Sequence, residues 1–241
     1  MKKVLVCFTA FLVLSAPAFA ARPLNTDDAG TVDLGKFEIE TGIEVEKAKN
    51  VDETATAFAV QVKYGILKNF DAGIEIPYSA SDPSGIGDAT VKGKINFAEE
   101  TESAPAISLG VDIKLMNGDK DQGLGTGYVD YGINGIFSKE LGPVMGHANL
   151  GYTIVGTKEG TASENVISYG VAVEYSANDA VNIVGEIFGS SVENASVNPL
   201  DAQIGGYWSI NDMTRIDGGL AFGLSDASPE YKATVGITLT I

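Results

Sequence analysis

The residue types that could do chemistry in this chain are carboxylates and lysines set two apart. The stretch FEIETGIEVEK places Glu38, Glu40, Glu44 and Glu46 on one side of an alternating run. Carried along the chain, the same register adds Asp71, Glu75, Asp88, Asp112, Asp130, Glu174, Glu186, Asp201 and Asp217, interleaved with Lys63, Lys92, Lys94, Lys114, Arg215 and Lys232. Acids exceed bases there by about two to one, and a wet interior lined in this way favours cations or neutral polar solutes over anions. Glu38, Glu40, Glu44, Glu75, Asp88, Lys92, Lys94, Asp112 and Asp130 are therefore the candidate selectivity residues. The plainer reading is a ladder of opposed charges that fills the interior and selects nothing.

Other chemistries find little support. Catalysis needs a base within reach of a nucleophile or water, oriented by a third group. The one histidine, His147 in GHANLGY, is followed two residues later by Asn149, and no nucleophile, base and orienter stand out, so the chain does not read as an enzyme. NGDKDQG lacks the glycine and terminal glutamate of a calcium loop, and GLGTG follows no strand-helix unit, so neither a metal nor a nucleotide cofactor is expected.

Alternation implies the elements that position the charges. From Gly35 onward, Phe37, Ile39, Thr41, Ile43 and Val45 oppose the acids in strict period two. Eleven similar runs follow: near 55–64, 70–78, 88–97, 106–115, 128–137, 144–154, 166–175, 180–188, 200–208, 214–224 and 230–241. Most have the length of a tilted transmembrane strand. Short links such as GILKN, SKELG, SANDA and SINDM alternate with longer ones rich in Gly, Ser, Asn and Asp, the pattern of short periplasmic turns and long extracellular loops. AEETESAP, at 98–105, is longer than that scheme expects. Phe37, Tyr64, Phe97, Phe137, Tyr175 and Trp208 fall on the outward register at one end and Tyr78, Tyr152 and Tyr231 at the other, as two interfacial girdles. A sandwich would alternate too, but would not ring both rims with aromatics. The expectation is an all-β fold, a transmembrane antiparallel up-and-down barrel of about 12 strands.

MKKVLVCFTAFLVLSAPAFA, residues 1–20, has the charged start, apolar middle and small-x-small end of a cleaved signal peptide. Its loss removes the single cysteine, Cys7, and two of the 16 basic residues, while all 32 acidic ones stay, so the formal charge moves from -16 to -18. Such a surface is a poor partner for nucleic acid. The expected organisation is leader 1–20, a periplasmic N-terminal segment or lumen plug at 21–34, and an outer-membrane barrel at 35–241. Both termini are expected in the periplasm. The expected partners are outer-membrane lipid, a small solute, and the barrel-insertion machinery through the apolar register of YKATVGITLTI.

The stretches RPLNTDDAGTVDLGKFEIETG, YGILKNFDAGIEIPY and GIGDATVKGKINF resemble the outer-membrane transporters grouped as the MetA-pathway-of-phenol-degradation family. Arg22, Pro23, Asp27, Asp28 and Ala29 resemble its amino-terminal signature; Pro77, Gly85, Gly87, Asp88 and Lys94 resemble its later ones. The resemblance implies an outer-membrane channel or transporter-like protein and names no solute. A non-conducting structural or adhesive barrel is the other expectation, a barrel hydrolase a more distant one. Physically, Pro23 and the paired aspartates disfavour strand pairing and favour a turn. Residues 22–30 then either fold into the barrel mouth, with Arg22 against lumen carboxylates, or trail from it.

Overall fold

Alternation shapes the whole wall. The computed structural model describes residues 22–49, 52–158, 160–161 and 164–241, so the expected leader at 1–20 lies outside the described residues. The strands are β1 (Phe37–Lys47), β2 (Thr54–Leu67), β3 (Phe70–Ser79), β4 (Gly85–Ile86), β5 (Thr90–Ala98), β6 (Ala106–Lys114), β7 (Asp130–Leu141), β8 (Val144–Ile154), β9 (Val166–Ser176), β10 (Val181–Val192), β11 (Leu200–Asn211), β12 (Thr214–Gly223) and β13 (Tyr231–Thr240). All pairs are antiparallel, and β13 returns to β1, which closes the barrel. Because β4 and β5 both pair with β3, they form one interrupted stave, and the closed barrel has twelve.

The interruption has a local cause. The carbonyl of Pro77 accepts from the Gly87 N–H at 2.9 Å, but Pro77 has no N–H to return on that side, and the ladder skips between Ile86 and Thr90.

One end carries tight connections. β7 and β8 meet at Gly142-Pro143, where Gly142 takes a left-handed φ of 70°. Four strands, β2, β7, β10 and β11, end at least three residues later than the alternation implies: β7 continues past Phe137 because Ser138, Lys139 and Glu140 keep pairing with His147, Gly146 and Met145. Backbone pairing does not need apolar side chains beyond the lipid. The long linker after β5 folds along the same rim. Its Glu100 carboxylate accepts from Lys139 Nζ at 2.6 Å and from the Glu140 N–H at 2.9 Å.

Outward residues have no second layer packed over them around the circumference. Ile133, Val171, Ile204 and Val235 are each more than half exposed, an apolar band that needs lipid to cover it. Phe37 stacks near Tyr64 with ring centroids 4.6 Å apart, and Phe58 near Tyr78 at 4.7 Å, one pair at each rim. Inside, the buried residues are mostly polar. Among the described residues one buried apolar cluster joins Leu24 to Ala172 and Val184, with Tyr207 packed against it.

Candidate functional site

The lumen is organised around residues 22–33. No ladder holds this stretch; its sole bridge, Leu34 to Gly65, comes at its end. Its backbone groups are buried and need partners from the wall. The Asn25 and Thr26 N–H groups donate to the two oxygens of Glu186 on β10, at 2.7 and 2.8 Å. The Asp27 N–H donates to Asn149 Oδ1 on β8 at 2.6 Å, and Asn149 Nδ2 donates back to the Asp27 carbonyl at 2.9 Å. Ala29 donates to Ser138 Oγ on β7 at 2.8 Å and accepts from Ser108 on β6 and Asn96 on β5. Val32 donates to Asp71 on β3 at 2.9 Å, and Gln203 on β11 donates to the Pro23 carbonyl.

Its first described residue reaches the far wall. Arg22 lies 3.3 Å from Asp217 on β12 and donates to Thr234 on β13 at 2.5 Å. The guanidinium fits because Gly42 and Gly236 face each other across the β1–β13 seam; a Cβ on either would collide with it. Lys94 on β5 donates to Asp27 at 3.1 Å and to the Asp28 carbonyl at 3.0 Å, while the Asp28 carboxylate turns back to the Gly30 N–H at 2.7 Å. Pro23 and Asp27 are buried, Arg22 and Asp28 half-buried. The amino-terminal signature therefore lies across the lumen, bonded to staves from β3 round to β13.

Several sequence-identified charges pair within the wall. Lys63 joins Glu38 and Glu40 at 2.5 and 2.7 Å, Lys92 joins Glu75 at 3.1 Å, Lys114 joins Asp130 at 2.8 Å, and Lys232 joins Glu46 at 3.1 Å. Asp112 sits across the strand pair from Lys92. Glu44 forms no hydrogen bond or ion pair among the described residues. The cavity bounded by Asp27, Lys63, Lys92, Lys94 and Asp112 has a volume of about 30 Å³, room for about one water.

Asp88 departs from its expected place on an open wall. Its carboxylate accepts from the Gly118 and Thr126 N–H groups at 2.8 Å each, and Lys114 is 3.6 Å away. Residues 115–129 thus fold down onto β4, with Leu124 buried over Gly85 and Gly87. The GIGD motif holds a loop.

The absence of a nucleophile, base and orienter also needs correction at the level of geometry. Ser138 Oγ lies 2.8 Å from His147 Nδ1, and His147 Nε2 lies 3.6 Å from Glu174, which accepts from Tyr207 at 2.7 Å. Ser138 accepts from the Ala29 N–H, so the segment covers it, and His147 Nε2 has no hydrogen-bond partner among the described residues. The three side chains are a buried polar cluster against which the segment packs.

Sequence reasoning missed the neutral partners, Ser108, Ser138, Asn149 and Gln203, and the inward aromatic Tyr207. All stand on the inward register of their strands, which was the available signal; no charge drew attention to them.

A family model described as "Putative MetA-pathway of phenol degradation" matches residues 20–241. The chain belongs to that family. Among solved structures, an outer membrane channel from Pseudomonas putida F1 superposes with a TM-score of 0.66 at 12% identity, over 89% of this chain and 98% of that one. The NanC porin gives 0.62 at 11% and the KdgM porin 0.60 at 9%, each over 84% of this chain and 98% of the other. At such identities the likeness establishes the fold, an outer-membrane barrel. No curated protein matches.

Proposed function

We propose that the protein is an outer-membrane channel for small hydrophilic solutes, cationic or neutral, and that residues 22–33 plug its lumen from the periplasmic side. The carrying observation is the segment's bonding pattern: its backbone and Arg22 meet wall carboxylates at Asp71, Glu186 and Asp217, which form no ion pair with a lysine among the described residues. The channel and porin names of the superposing barrels support this reading, and both termini then lie in the periplasm, with the short turns.

A non-conducting structural barrel is the second reading, favoured by the cavity of about 30 Å³ at mid-lumen. Recording in planar bilayers separates the two. The channel reading expects small or voltage-induced openings from the full chain and larger steady ones once residues 22–33 are removed. Silence from both proteins, with the barrel folded, would establish the structural reading.

A further inference from the structure

One recess of the lumen lies off the plug. At the turn end, between β1, β11, β12 and β13, a cavity of about 360 Å³ opens, of the size that accepts a small organic solute, and its one wall carboxylate on a strand, Glu38, is already held by Lys63. Its wall is unlike the rest of the interior. Arg215 lies there with no carboxylate within ion-pair distance among the described residues, whereas Arg22, Lys63, Lys92, Lys94, Lys114 and Lys232 each have one. Its guanidinium carbon sits 4.7 Å from the centre of the Tyr207 ring, Nη2 reaches Thr238 only at 3.4 Å, and Nε has no hydrogen-bond partner. With Nε buried and no carboxylate partner, a guanidinium set over an aromatic ring leaves its terminal nitrogens to meet a carboxylate.

The rim carries the opposite sign. Asp212, in the turn between β11 and β12, and Asp179, in the turn between β9 and β10, line the same cavity, are exposed and make no ion pair among the described residues. A solute entering this recess meets a cation on its floor and carboxylates at its edge. We propose that the recess is a binding subsite for a small zwitterion, an α-amino acid or short peptide, with its carboxylate on Arg215 and its ammonium against Asp212 and Asp179. A simple anion is repelled at the rim, and a simple cation finds Arg215 beneath it. The assignment names a solute class for the proposed channel and rests on that reading only for the solute's route.

Equilibrium titration of the folded, detergent-solubilised protein with glycylglycine, acetylglycine and glycinamide tests it. Glycylglycine is expected to bind saturably, and the two singly charged probes at least about tenfold more weakly, the loss of one charge-assisted bond. Arg215→Gln should abolish glycylglycine binding, while Asp179→Asn with Asp212→Asn should weaken glycylglycine and leave acetylglycine unchanged or tighter. Heat-modified gel mobility checks that each variant is folded, and if Arg215→Gln fails that check, the Asp179 and Asp212 pair, exposed on turns, decides the matter. No saturable binding of glycylglycine, equal binding of acetylglycine, or undiminished binding by folded Arg215→Gln would overturn the proposal. Binding without conductance would overturn the channel reading alone, and conductance without binding would overturn the subsite alone.

Discussion

Two sets of lumen carboxylates face the same space and are neutralised differently. Glu38, Glu40, Glu46, Glu75 and Asp130 hold lysines that belong to the wall, so their partners stay whatever the N-terminal segment does. Asp71, Glu186 and Asp217 instead hold the segment itself, through backbone N–H groups and Arg22. The contrast separates charges that build the barrel from charges that hold the plug. Were the segment to leave, the first set would keep its lysines, while Asp71, Glu186 and Asp217 would be bare and Lys94 would lose Asp27. The wall's acidic excess is the same in both cases; what opening changes is how many of its carboxylates stand without a partner.

The largest expected effect comes from breaking a wall pair. Lys63→Met leaves Glu38 and Glu40 together in a half-dry interior and should cost on the order of 3–5 kcal/mol of barrel stability, read by urea unfolding from vesicles. A loss below about 1 kcal/mol, the scale of an exposed pair, would mean that the wall pairs are solvated ornaments.

The lipid face supplies the control for register. Val171→Arg or Ile183→Arg should cost about 2–4 kcal/mol near the bilayer midplane, in the same unfolding assay. Ala172, one residue away, turns inward and is sealed beneath Leu24, so an arginine there should displace the segment and leave the outer face intact. Full retention of the plug in Ala172→Arg would contradict that packing.

Plug-holding charges should behave oppositely to wall pairs. Glu186→Gln weakens three charge-assisted bonds, from the Asn25 and Thr26 N–H groups and Asn25 Nδ2, and should loosen the segment by about 1–3 kcal/mol, seen as faster amide exchange at Asn25 and Thr26 with little change in global unfolding. Equal effects on both observables would erase the distinction between the two sets. Smaller still is Ser138→Ala, which removes one acceptor from Ala29 and should speed exchange at that amide by a factor corresponding to about 1 kcal/mol.

How much was legible in the sequence follows the same division. The outward register, the twelve staves and the rim aromatics were readable because lipid imposes one demand on every strand, apolar every second residue. The wall pairs were half readable: the charges lay on the right face, but which lysine meets which acid depends on stagger, as when Lys63 reaches both Glu38 and Glu40. Asp88 misled because its register points inward while residues 115–129 fold down to meet it. The segment's docking was half readable: Arg22 against a lumen carboxylate is one of the two arrangements the sequence offered, and it meets Asp217. The rest was hidden because the donors are backbone N–H groups, which every residue but proline carries, and because acceptors such as Asn149 and Ser138 look like ordinary lumen polarity beside the carboxylates of Glu186 and Asp71.

The most direct test of the account is the ion selectivity of a chain lacking residues 22–33 behind an intact leader, recorded under a KCl gradient beside the full chain. The account predicts higher conductance and a reversal potential that shifts toward cation preference, because Asp71, Glu186 and Asp217 lose their partners and outnumber Lys94, which loses Asp27, with the preference fading as added salt screens them. Conductance and reversal potential equal to those of the full chain, or anion preference in the open barrel, would contradict it.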